Sequence, residues 1–143
     1  MIAGVRHTGI VVKNLEATRD FYLALGFTIQ SQAQETGSFI EQVTGLAKVK
    51  LQWVKMSLPD YSLLELIRYD FPMDIETDGL QNPNRLGVSH LAFSVREIDK
   101  FCGLVVELGG NVINAPALTK EKNYKVAYCH DIEGNLFEAV EIQ

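Results

Sequence analysis

The 143-residue chain holds only two cysteines, Cys102 and Cys129. One falls in a helical pattern and the other in a strand pattern, so two reduced, mostly buried thiols are expected rather than a disulfide framework. No apolar run approaches the length of about 18 residues that a membrane span requires, so no membrane partner is expected. The opening Met1-Ile2-Ala3-Gly4-Val5-Arg6-His7 has no basic segment followed by an apolar one, so no secretory leader is expected and a soluble cytoplasmic protein is the default. Positive charge is also scarce. Thirteen Lys and Arg stand against 18 Asp and Glu, and the formal net charge of −5 argues against sequence-independent nucleic-acid binding, which needs a basic face. The 47% hydrophobic and 22% charged residues are enough to close a core and argue against long disorder. The length suits one compact domain, or two small halves sharing a core.

Residues 5–12 are β-rich, and alternation puts His7, Gly9 and Val11 on one face of the expected strand. Asn14 is a good helix cap, and Leu15, Thr18, Phe21, Tyr22 and Leu25 follow at helical spacing until Gly26. Residues 27–32 are expected to return as a strand. Residues 39–45 suit a short helix or a lid-like loop. Residues 49–58 and 63–67 read as a hairpin around the turn Pro59-Asp60-Tyr61-Ser62, with Glu65 a carboxylate inside an otherwise apolar strand. Residues 70–85 are mostly polar and aperiodic, and read as a linker.

The second half repeats the first. His7 and His90 are 83 residues apart, and at that offset Leu15 falls on Ile98, Leu25 on Leu108, Gly26 on Gly109 and Ile29 on Val112. Later the offset is 73, and Leu63-Leu64-Glu65-Leu66-Ile67 falls on Leu136-Phe137-Glu138-Ala139-Val140. Each half therefore reads βαβββ, with a histidine on its first strand and a glutamate on its last. The expected fold class is α+β, a single domain of residues 1–143, with module 1 about 4–70, a linker about 71–86 and module 2 about 87–143.

A lone histidine on a strand is ordinarily a satisfied core or surface residue. A glutamate in an apolar strand needs an arginine, backbone donors or a metal, because burying an unpaired carboxylate is costly. Two imidazoles and two carboxylates at equivalent points of a duplicated unit form a different pattern. A pseudo-twofold would bring His7, Glu65, His90 and Glu138 towards one centre. That donor set suits a divalent Ni, Co, Zn, Mn or Fe ion, with positions left for water or a small-molecule substrate.

The motifs His7-Thr8-Gly9-Ile10-Val11-Val12, Asp20-Phe21-Tyr22 with Leu25-Gly26-Phe27, Leu64-Glu65-Leu66, His90-Leu91-Ala92-Phe93-Ser94-Val95 and Asp131-Ile132-Glu133-Gly134-Asn135-Leu136-Phe137-Glu138 span nearly the whole chain. In these the chain resembles the vicinal-oxygen-chelate superfamily, which contains glyoxalase I, methylmalonyl-CoA epimerase, extradiol dioxygenases, fosfomycin-resistance transferases and bleomycin-resistance proteins. The resemblance implies two βαβββ modules forming a curved, barrel-like mixed sheet around a metal held by His7, Glu65, His90 and Glu138. It also implies a homodimer, as family members commonly dimerise.

The chemistry so implied is that of a metal-dependent lyase or isomerase of glyoxalase I type. The metal acidifies a C–H beside a carbonyl, and a glutamate base transfers the proton through an enediolate or enolate. Glu138 is the expected base, with Glu65 as its catalytic partner and a ligand. Two positions depart from glyoxalase I. Val11 stands where an arginine anchors glutathione, and Tyr69 replaces an asparagine commonly found four residues after the Glu65-type glutamate. The alternatives are an acyl-CoA epimerase resembling methylmalonyl-CoA epimerase, which typically has glutamine at the Glu65 position, and a non-catalytic binder of bleomycin-resistance type. Among other residues, His130 is expected as a solvated loop residue, Trp53 as a cup-lining or core residue, and Arg68 as an exposed residue or an anion contact.

Overall fold

The computed structural model describes residues 1–74 and 79–143. Residues 75–78, within the expected linker, lie outside the described residues. The chain divides into two compact units, Met1–Thr77 and Asp78–Gln143.

The first unit runs β1 (Thr8–Val11), α1 (Leu15–Ala24), β2 (Thr28–Thr36), α2 (Ser38–Thr44), β3 (Lys50–Ser57) and β4 (Leu63–Phe71). Its sheet has the order β1-β4-β3-β2, with β1 parallel to β4 and the other pairs antiparallel. Asn14 starts α1 as expected: its side-chain oxygen accepts from the Ala17 N–H at 3.0 Å. The helix buries Leu15, Thr18, Phe21 and Tyr22 and packs on β3 and β4. Val54, Met56, Leu64 and Leu66 are buried at alternate positions of those two strands. The intervening residues of β3 and β4 form the opposite face. There Leu51 pairs with Tyr69, Trp53 with Ile67 and Lys55 with Glu65. Residues 39–45 take the helical option: Ile40 of α2 is buried with Val49 and Leu51, and Trp53, Ile67 and Tyr69 pack against them. One face is thus closed by α1, and the other is apolar under α2 and polar towards Glu65.

The second unit runs β5 (Leu91–Ser94), α3 (Ile98–Glu107), β6 (Asn111–Val112), β7 (Ala117–Leu118), β8 (Tyr124–His130) and β9 (Leu136–Ile142). The order is β5-β9-β8-β6, with β7 also paired to β8. The α3 helix buries Ile98, Cys102 and Val105 and packs on β6, β8 and β9, where Ala127, Cys129, Phe137 and Ala139 are buried. Gly110 sits where α3 gives way to β6. A Cβ there would stand 2.6 Å from the His130 carbonyl oxygen and 2.9 Å from Val105, so only glycine allows this approach.

The repeat read from the chain survives in the register. Thr8 pairs with Leu64 and Gly9 with Glu65; at offsets of 83 and 73, Leu91 pairs with Phe137 and Ala92 with Glu138. The Val12 N–H donates to the Ile67 carbonyl at 2.8 Å, and its counterpart Val95 donates to Val140 at 2.8 Å.

Several boundaries differ from expectation. The first strand of each unit is four residues long and begins just after its histidine. The reason is shared: β4 and β9 begin at Leu63 and Leu136, so their pairing with the edge strand starts one residue further on. The second unit's counterpart of β2 shrinks to β6, Asn111–Val112, and the short β7 follows it as an extra strand. His130 is not a solvated loop residue. It is the last residue of β8 and only 3% exposed. Its Nε2 lies 2.8 Å from the Gln81 carbonyl oxygen, to which it donates, and its Nδ1 accepts from the Asn111 amide at 3.2 Å. With both ring nitrogens satisfied, burial costs little.

Candidate functional site

Each unit brings together one histidine and one glutamate. In the first, Gly9 and Glu65 are paired neighbours across β1 and β4, so His7, two residues before Gly9, falls on the Glu65 side. His7 Nε2 lies 2.9 Å from Glu65 Oε2. His7 Nδ1 is buried without a hydrogen-bond partner. The proton therefore belongs on Nε2, donated to Glu65, because an orphaned N–H at Nδ1 would cost more than an orphaned lone pair. The second carboxylate oxygen is also engaged: Lys55 Nζ lies 3.3 Å from Glu65 Oε1. The Lys55 ammonium also sits 4.5 Å over the Trp53 ring, and Trp53 Nε1 donates to Glu35 Oε1 at 2.6 Å. A polar row, His7–Glu65–Lys55–Trp53–Glu35, thus crosses one face of the sheet.

The second unit holds the counterpart pair in a different state. His90 Nε2 lies 3.5 Å from Glu138 Oε2. Ser89 Oγ donates its proton to the Pro83 carbonyl at 3.0 Å, and His90 Nδ1 stands 3.2 Å from the same Oγ. The hydroxyl can then only accept, which puts the imidazole proton on Nδ1 and leaves a lone pair on Nε2. A bare nitrogen and a carboxylate oxygen face each other with no proton between them, an arrangement that a cation completes. Tyr128 is the cross-strand partner of Glu138, and its ring meets His90 edge-on with centroids 5.0 Å apart.

The His90–Glu138 pair presents donors that fit a divalent ion as it stands, and the His7–Glu65 pair does so when the proton leaves His7 Nε2. Ligands about 2.1 Å from one metal stand roughly 3.0 Å apart in an octahedral shell and roughly 3.4 Å apart in a tetrahedral one. The two separations, 2.9 and 3.5 Å, match adjacent vertices. Ser89 supplies the outer hydrogen bond that commonly orients a ligating imidazole. Within either unit, no third His, Cys, Asp or Glu joins its pair among the described residues.

Lys55, Ser89, Tyr128 and Glu35 were not anticipated as members of the site. Lys55 and Tyr128 had a signal, since their separation of 73 equals that of Glu65 and Glu138. Arg68 is engaged within its own unit. It lies 3.1 Å from Glu16 of α1 and 2.9 Å from Asp70, and so belongs to the α1 side of the sheet. Both cysteines are buried free thiols. Burial, and the neighbouring Cys102, push the Cys129 thiol up to about 12.

The model of the glyoxalase/bleomycin resistance protein/dioxygenase superfamily matches residues 4–139. The chain belongs to that superfamily. A glyoxalase family protein from Bacillus cereus is 25% identical over 99% of this chain and 95% of its own, with a TM-score of 0.91. The fosfomycin resistance protein FosX from Listeria monocytogenes, solved with Mn(II) and sulfate, is 17% identical over 100% of this chain and 95% of its own, with a TM-score of 0.62. A glyoxalase I variant from Zea mays is 17% identical over 94% of this chain but only 43% of its own, with a TM-score of 0.66. No curated protein matches the sequence. Among the described residues, no helix is long and apolar enough to cross a membrane.

Proposed function

We propose that the protein is a metal-dependent lyase or isomerase of glyoxalase I type, with His7, Glu65, His90 and Glu138 as metal ligands and Glu138 as the catalytic base. The observation that carries this reading is the recurrence of one His–Glu pair at the same register in both units, at 2.9 and 3.5 Å. A divalent ion bound there supplies a Lewis acid that polarises a carbonyl substrate.

The residues divide the remaining work. Glu65 is the more enclosed carboxylate, its side chain 12% exposed against 23% for Glu138, which suits a fixed ligand. Glu138 has His90 as its only polar partner among the described residues, and that partner presents a lone pair. Glu138 is therefore the carboxylate able to take a proton from carbon. Returning that proton to the neighbouring carbon isomerises the substrate; delivering a proton to the opposite face of the same carbon epimerises it.

A second reading, epimerisation of an acyl thioester, uses the same transfer. It is favoured by Val11, which is 58% exposed and offers no cationic anchor for glutathione. Proton exchange with deuterated solvent, followed by NMR across α-oxo thiol adducts and acyl-CoA thioesters, separates the two. Wild type should exchange one substrate C–H, and Glu138→Gln should lose about a hundredfold or more of that rate. Full turnover in Glu138→Gln would overturn the assignment of the base.

A further inference from the structure

We infer that Lys55 is a stand-in counter-ion for Glu65 that a metal displaces, and that its freed ammonium then recognises a carboxylate on the substrate. The inference rests on the metal reading above and adds a ligand class to it.

The geometry is specific. Lys55 and Glu65 are direct cross-strand neighbours, 3.3 Å apart between Nζ and Oε1, with side chains only 27% and 12% exposed. A pair this sheltered is screened less than a surface ion pair. An ion on Glu65 Oε2, beside His7, draws the carboxylate's charge away from the ammonium on Oε1 and repels it. When an ion takes the carboxylate, the ammonium loses its counter-charge and remains beside a second cation. The Trp53 ring keeps it on this face through the cation–π contact at 4.5 Å, and the Trp53–Glu35 hydrogen bond fixes that ring. The loaded face is then cationic, and an anionic group on the incoming ligand restores the balance. Tyr128 holds the equivalent place opposite Glu138, so only the first unit carries this device.

The chain has a single tryptophan, and it is the one under Lys55. Its emission reports both steps without any turnover. In the full-length protein, Zn(II) alone should shift Trp53 emission as Lys55 moves. Lactate, a simple hydroxycarboxylate, should shift it again only after Zn(II) is bound. Lys55→Met should bind Zn(II) about fivefold more tightly, because a competing and repelling cation is gone, and should lose the lactate response. Lys55→Arg should keep that response, and circular dichroism checks that both variants fold. If Lys55→Met binds Zn(II) as wild type does, the counter-ion role is overturned. A lactate response that survives in Lys55→Met, or is absent from Zn(II)-loaded wild type, overturns the anion role. Wild type that takes up no divalent ion overturns the metal reading itself, an outcome visible by dialysis before any variant is compared.

Discussion

Lys55 and Tyr128 occupy the same place in the two sheets: each is the direct cross-strand neighbour of its sheet's glutamate. One places an ammonium against Glu65 and the other an aromatic ring beside His90. The duplicated unit keeps its histidine and glutamate and differs in what stands next to them. On the proposed function, Glu65 is the fixed carboxylate and Glu138 the working one.

Tyr128→Lys should therefore impair the base. An ammonium opposite Glu138 stabilises its anion and makes it a poorer proton acceptor. Turnover or solvent exchange should fall at least about tenfold, while Tyr128→Phe should stay within about threefold of wild type. Equal rates in Tyr128→Lys and wild type would remove the reason for placing the base in the second unit.

Ser89→Ala tests how His90 is oriented. Removing the acceptor of its Nδ1 proton frees the ring and the tautomer. Loss of such an outer hydrogen bond typically lowers metal affinity about tenfold to a hundredfold. Competition against a chromogenic chelator measures it, and Ser89→Thr should recover most of the loss.

Gly134→Ala tests the turn that feeds β9. Gly134 has φ of 86°, and an added Cβ would stand 2.5 Å from the Gly79 carbonyl oxygen. Left-handed strain and the clash should together cost at least about 2 kcal/mol, read from urea denaturation. Asp131, whose Oδ1 accepts the N–H groups of Glu133 and Asn135 at 2.9 and 3.0 Å, holds the same turn.

The Cys129 thiol sets an alkaline limit on stability. Its ordinary value of 9.0 rises to about 12 in the fold, chiefly through burial. Between those values the unfolded chain gives up this proton and the folded chain keeps it, so the unfolded state binds fewer protons and stability falls as pH rises. The slope is about 1.4 kcal/mol per pH unit above pH 9. Urea midpoints at pH 8 and 10.5 should fall further for wild type than for Cys129→Val. At pH 7.5 neither buried thiol should react with iodoacetamide in the folded protein.

Much of this site was legible in the chain because a repeat converts position into geometry. Equal offsets placed Glu65 and Glu138 at one register, and alternation placed His7 and Gly9 on one face; the pairing of Gly9 with Glu65 then puts His7 on the side of Glu65. The strand ends were less legible, since they depend on where the neighbouring strand begins to pair. His130 was misread because a histidine beside a turn motif looks solvated; its partners, Gln81 and Asn111, lie far away in sequence. Lys55 gave no sign within its own strand of belonging to the site, although it faces the same way as Leu51 and Trp53. The carboxylate opposite is what keeps a lysine there.

Metal uptake by the full-length protein is the most direct measurement of the central claim. After dialysis against Ni, Co, Zn or Mn and removal of free ion, elemental analysis of wild type should find a near-stoichiometric divalent ion. His90→Ala and Glu65→Ala, folded by circular dichroism, should retain far less. Wild type with no bound ion under any of these conditions, or variants that hold as much as wild type, would contradict the account and favour a protein that binds its ligand without a metal.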